Sequence, residues 1–263
     1  MSLKVDDALV GPLGDLILSV ADDKLMLGHC ASDWTGLGPI LEEDIAFSAI
    51  SQEEIAHASE LYNIIGPILG RSADQLAFGR SPGAYRCAHI TQLPDEFDWA
   101  RAIVRQFLCD RFDHLRLTRL SRSSLVPLAD LARRIAAEEA THVEHGDTWV
   151  VHLARGSEES AGRMQQAFEF WAQPASMLFE PTEGVGLLES AGVYPVSENE
   201  PHDMFVAWKE GIDSVLQGTG LSFSVSAPDG SKQGGRKGLH TDGFDKVLDE
   251  MCEVYRVEPE AQW

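Results

Sequence analysis

Glu54-Ile55-Ala56-His57 and Glu139-Ala140-Thr141-His142 decide how this chain is read. Each is Glu-x-x-His, and on a helix a three-residue spacing sets carboxylate and imidazole on one face, where both can reach one metal ion. One such pair carries little, because Glu and His are common and a solvated helix face produces the same pattern. Two pairs in separate helical segments say more. Carboxylate-bridged dinuclear bundles place one such motif on each of two helices and one further carboxylate on each of the other two.

Working outward, four long segments show apolar residues at helical spacing: Pro12 to about Ala31, Pro39 to Leu69, Phe97 to about Arg122, and Leu125 to Leu153. Pro39 and Pro127 suit helix starts, and Gly70 suits a helix stop. The link from Arg71 to Glu96 is long and rich in Gly, Pro and Ser, as a crossover between two helix pairs requires. Further helices are predicted from Ala161 to about Phe179, from Asp203 to about Leu216, and over FDKVLDEMCEVYRV, with an exposed Gly/Ser-rich loop from Gly218 to Gly243. Strand-type alternation is scarce. The expectation is an all-α, ferritin-like four-helix bundle with additional C-terminal helices. Residues 1–263 are read as one domain, with the core bundle over about 10–155 and a helical extension over about 156–263.

If the bundle is a quasi-repeat, the extra carboxylates should precede their Glu-x-x-His motifs by similar intervals. Asp110 precedes Glu139 by 29 residues, so the equivalent position before Glu54 falls at residue 24 or 25, and Lys24 stands there. Asp22 and Asp23 are adjacent, but one residue turns a helix by about 100° and points them elsewhere. Glu43 shares the face of Glu54 but lies about 16 Å along the axis, too far to share a metal pair. An ammonium has donors and no lone pair, so Lys24 puts a fixed positive charge where a cation would bind. Glu54, Asp110 and Glu139 would be balanced by Lys24 with protonated His57 and His142, giving a buried ion network in place of metal. All six side chains are expected to converge in the interior.

Forty-two Asp and Glu against 21 Lys and Arg give a net charge of −21, which opposes a phosphate backbone and disfavours nucleic acid as a partner. Such a chain would attract a basic partner surface. Cys30, Cys87, Cys109 and Cys252 are scattered, without a metal-knuckle or disulfide spacing, so a reduced cytoplasm is expected. No run approaches the roughly 18 apolar residues that span a bilayer, and no cleavable leader follows the N-terminus. His145 follows His142 by three positions, whereas His29, His89, His114, His152 and His202 lack partners at ligand spacing. No nucleophile elbow, phosphate loop or dinucleotide fingerprint occurs. The basic run GGRKG at 234–238 offers Arg236 and Lys237 as a phosphate or partner contact, or as a plain solvated linker.

The tail GGRKGLHTDGFDKVLDEMCEVYRVEPEAQW resembles that of the PaaC-type family, the C-type subunits of phenylacetyl-CoA monooxygenase (epoxidase) complexes. LGHCASDWTG after the first helix, the Asp110 helix ending in LTRL, and RMQQAFEFW extend the resemblance over nearly the whole chain. It implies a structural, non-catalytic helical subunit that pairs with a homologous A-type subunit holding the di-iron centre. Other components of the complex bridge the assembly and deliver electrons. Phenylacetyl-CoA is the substrate of the complex, and no cofactor is expected in this chain itself. Glu54, His57, Asp110, Glu139 and His142 are all retained here, which is closer to the catalytic subunit than an eroded site would be. The alternative reading is therefore an autonomous di-iron oxidase or iron-handling protein, using these five ligands with water or a shifted Asp23. A third is a helical adaptor in which the Glu-x-x-His pairs are coincidental.

Overall fold

The computed structural model describes residues 5–196, 203–227 and 234–259, so His202 and the terminal Gln-Trp lie outside the described residues. The helices are α1 (Asp7–Ser32), α2 (Leu41–Leu69), α3 (Ala73–Ala77), α4 (Trp99–Leu120), α5 (Val126–Gly156), α6 (Glu158–Ser176), α7 (Val185–Ser190), α8 (Met204–Leu216), α9 (Phe244–Met251) and α10 (Glu253–Val257). Among the described residues there is no strand, so the chain is all-helical as read. It divides into two compact units that interleave in sequence: residues 1–94, 181–185 and 233–263 form one, and residues 95–180 and 186–232 the other. The C-terminal third is thus split, its last helices belonging to the unit that contains α1.

In the first unit α1 and α2 pack antiparallel, with Gly14 against Leu69 at one end and Gly28 against Ser51, Glu54 and Ile55 at the other. A Cβ on Gly28 would come within 2.7 Å of Ile55 Cγ1, so glycine is what lets the helices approach there. From Leu16 to Gly28 every side chain of α1 is buried. A helix buried all round belongs at the centre of its unit. Each fully buried aliphatic or aromatic side chain, such as Ile17, Val20, Leu61 and Ile65, contributes about 1.5–3 kcal/mol.

Helix α1 starts at Asp7, earlier than the expected Pro12, because the Asp6 side chain caps the Ala8 N–H and leaves Pro12 inside the helix. Gly70 ends α2 in the left-handed conformation (φ 67°), and Pro127 lies in the first turn of α5, both as expected. The last segment is two short helices broken at Cys252 rather than one.

In the second unit α4 and α5 pack antiparallel, with Gly146 of α5 against the backbone of Phe107. Helices α6 and α8 cover α4, and each sends an indole N–H to an α4 carbonyl: Trp171 to Arg101 and Trp208 to Leu108, both at 2.9 Å. Buried indoles need such partners. Edge-to-face rings at Phe107–Phe168, Phe112–Phe179 and Trp208–Phe223 fill the space between.

Candidate functional site

Asp22, Asp23 and Lys24 are three consecutive charges in the fully buried part of α1, exposed by 0%, 1% and 0%. Successive side chains leave a helix about 100° apart, so the three point in three directions. A buried charge persists only when paired and hydrogen-bonded. Each of the three is met from a different element of the same unit.

Asp22 takes the Tyr62 hydroxyl at 2.6 Å, the Arg86 backbone N–H at 2.6 Å and both terminal nitrogens of Arg80. Burial, and then the Asp22 carboxylate, pushes the Tyr62 hydroxyl well above its ordinary pKa, so it remains a donor. Burial works against the charge on Arg80, and Asp22 more than offsets this, leaving its pKa raised. Asp23 takes the Ala88 N–H at 2.8 Å and a two-pronged contact from Arg236, at 2.9 and 2.6 Å. Lys24 places its ammonium 3.1 Å from Glu54 Oε2 on α2, and neither side chain has any exposed surface. His57, one turn beyond Glu54, is also buried.

The second unit holds the other half of the sequence-read set. Asp110 on α4 and Glu139 and His142 on α5 are all buried and offer ligand atoms within 4.8 Å of one another. Asp110 Oδ1 accepts from Gln106 Nε2 at 2.5 Å, and His142 Nδ1 lies 3.5 Å from Glu139 Oε1. Two helical intervals of one turn therefore set Gln106–Asp110 and Glu139–His142, as the motif spacing demands.

The donor set does not fit a dinuclear metal centre. That architecture needs one carboxylate from each of two helices and Glu-x-x-His from each of the other two, and α1 supplies no uncommitted carboxylate beside Lys24. Lys24 lies against Glu54, and Asp22 and Asp23 are paired with Arg80 and Arg236. Asp23, the shifted carboxylate that an autonomous di-iron site would use, accepts from the Arg236 guanidinium and the Ala88 backbone N–H.

The basic run at 234–238 is corrected too. Arg236 is 3% exposed and turned inward, bonded to Asp23, the Ser19 carbonyl and the Arg86 carbonyl, so it meets a carboxylate of its own chain rather than a phosphate or a partner. Lys237 is exposed. The glycines explain the difference: a Cβ on Gly235 would fall 1.6 Å from the Cys87 carbonyl oxygen, and Gly238 has φ 74° with Gly83 against it. Here glycine serves close packing, whereas its composition signals a solvated loop. Asp23 lies 213 positions from Arg236, and no local signal could have joined them.

Around this contact the tail is tied down again. Gln92 Oε1 accepts from the Thr241 N–H, which fixes its amide, so Gln92 Nε2 donates to Cys87 O and to His240 Nδ1. The same ring's Nε2 then carries the proton and donates to Pro82 O at 2.9 Å. Burial lowers the His240 pKa from 6.5, in keeping with a neutral ring.

Fold and site together define a helical protein with two buried Glu-x-x-His helices and a buried lysine ion-paired to the glutamate of the first. The chain belongs to the phenylacetic acid catabolic protein family, whose model matches residues 4–263. It is 27% identical over 247 residues to the C-type subunit of the 1,2-phenylacetyl-CoA epoxidase of Escherichia coli (strain K12), covering 94% of this chain and 97% of that one. It is also 27% identical over 151 residues to the A-type subunit of the same organism's epoxidase, covering 57% of this chain and 48% of that one. The resemblance read from the tail thus extends along the whole sequence. No described helix is long and apolar enough to cross a membrane.

Proposed function

We propose that this chain is the structural, non-catalytic subunit of a cytoplasmic multicomponent oxygenase that epoxidises phenylacetyl-CoA, paired with a homologous A-type subunit that carries the di-iron centre. The observation that carries this reading is Lys24, fully buried against Glu54 where a di-iron bundle needs a carboxylate, with both neighbouring aspartates committed elsewhere. A dinuclear centre in the partner would supply dioxygen activation. The residues of this chain do something else. Its three α1 charges, with Glu54, Arg80 and Arg236, lock the first unit into one arrangement, a role for which buried ion pairs are suited through specificity more than through net stability. The likeness to both of these epoxidase subunits supports a partner of the same family.

The test is oxygen uptake with phenylacetyl-CoA, reductase and NADPH, measured with this chain, with an isolated A-type subunit, and with both together. Uptake is expected only where the A-type subunit is present. Turnover by this chain on its own would overturn the reading.

A further inference from the structure

The geometry points to a docking surface at the start of α2, formed by Leu37, Ile40, Leu41 and Ile45, for an apolar cleft rimmed by Lys and Arg on the A-type subunit. The inference rests on the proposed complex and adds where this chain makes the contact and with what chemistry.

These four large apolar side chains fall within nine consecutive residues and are exposed by 48% (Ile40) to 69% (Leu41). Scattered exposed leucines are ordinary, whereas a contiguous apolar cluster marks an interaction site. The segment that presents them is rigidly built. Leu37 N–H donates to Trp34 O at 3.0 Å, Gly38 N–H to Asp44 Oδ1 at 2.6 Å, and the hydroxyls of Thr35 and Ser48 meet at 3.0 Å. Trp34 and Phe47, both buried, pack edge to face beneath at 6.4 Å. The local fold spends its inward positions on Trp34 and Phe47 and holds the four aliphatic groups outward, so little ordering cost remains on binding.

Charge selects the occupant. Between Leu25 and Gly70 there is no Lys or Arg, and of the seven carboxylates there Glu43 and Glu54 are buried, Glu54 against Lys24, while the other five reach the surface. Asp33, Glu42 and Glu53 are exposed, Glu42 lying between Leu41 and Ile45 in the cluster itself and Asp33 four residues before Leu37. An anionic membrane or a nucleic acid is repelled by such a rim, and a second copy would set two acidic rims face to face. A partner that offers apolar side chains ringed by cations is attracted, and association then weakens with salt.

The full-length chain would be titrated at low and high ionic strength with the A-type subunit, and its self-association followed by sedimentation. Leu41→Ser with Ile45→Ser is expected to weaken the complex at least tenfold. Glu42→Lys should weaken it and flatten the salt dependence, while Val254→Ser, equally exposed on α10, should leave affinity unchanged. A double variant that binds as tightly as wild type would overturn the surface and leave the complex standing. Wild-type chain that does not bind the A-type subunit would overturn the complex and the surface together. A wild-type homodimer dissolved by the double variant would assign the face to a second copy and overturn the proposal.

Discussion

At the residue scale, three adjacent charges on α1 read alike in sequence and have three different fates. Lys24 faces α2, Asp22 faces the segment that carries Arg80 and Arg86, and Asp23 faces the tail. The helical turn of about 100° per residue separates them, and full burial forces each to have its own counter-charge. Lys24→Met removes the ammonium beside Glu54 and is expected to cost about 3–5 kcal/mol, as breaking a buried pair does. Adding Glu54→Gln to that variant should recover most of the loss, since it removes the carboxylate left behind; urea unfolding of the single and double variants checks both. The position of Lys24 was legible from the interval between Asp110 and Glu139, because a bundle repeats its spacing. The commitment of Asp22 and Asp23 was not, because their partners are remote in sequence and one of them sits in a stretch whose composition imitates a loop.

At the element scale, the tail segment works as a clasp on the first unit. Arg236→Met leaves Asp23 buried without its guanidinium and should likewise cost about 3–5 kcal/mol. Arg236→Lys should recover only part of this, because one ammonium cannot reproduce the two-pronged contact. Hydrogen exchange at 88–92 and 234–252 would locate the loosening.

The clasp also carries a pH dependence. His240 has a folded pKa below the ordinary 6.5, so its contribution is present above about pH 6.5 and is lost as pH falls through that value towards the folded pKa. Protonating Nδ1 would set a second donor against Gln92 Nε2. His89, Asp22 and Arg86 also act on the ring and are smaller causes than burial. Unfolding midpoints at pH 7.5 and 5.5 should therefore fall with acid, and His240→Asn should reduce the difference; equal slopes for both proteins would contradict it.

Helix positions were mostly legible, since α2 and α5 start at proline signals and α2 stops at Gly70. The short α3 and α7 were missed, as five- and six-residue helices leave too few turns for a period to show. Close approach at Gly28 is a further element-scale feature. Gly28→Ala would force a Cβ to within 2.7 Å of Ile55 and 3.0 Å of the Ser51 carbonyl, at a cost of about 1–3 kcal/mol read from the thermal midpoint.

At the scale of the whole molecule, the chain carries a net charge of −21, is helical with no strand among the described residues, and belongs to the phenylacetic acid catabolic protein family. In the proposed division of labour one homologous copy would lose a ligand and keep its fold, and Lys24 would serve there by placing one positive charge beside Glu54. Anaerobic thermal unfolding of wild type and Lys24→Glu, with and without excess free Fe²⁺, tests this most directly. Without iron Lys24→Glu should be the less stable, since it sets a second carboxylate against Glu54. With iron it should regain stability, by about 2.7 kcal/mol at a hundredfold excess over the dissociation constant, while wild type gains nothing. Wild-type protein that gains as much as Lys24→Glu would contradict the account, because Lys24 would then not have displaced the metal.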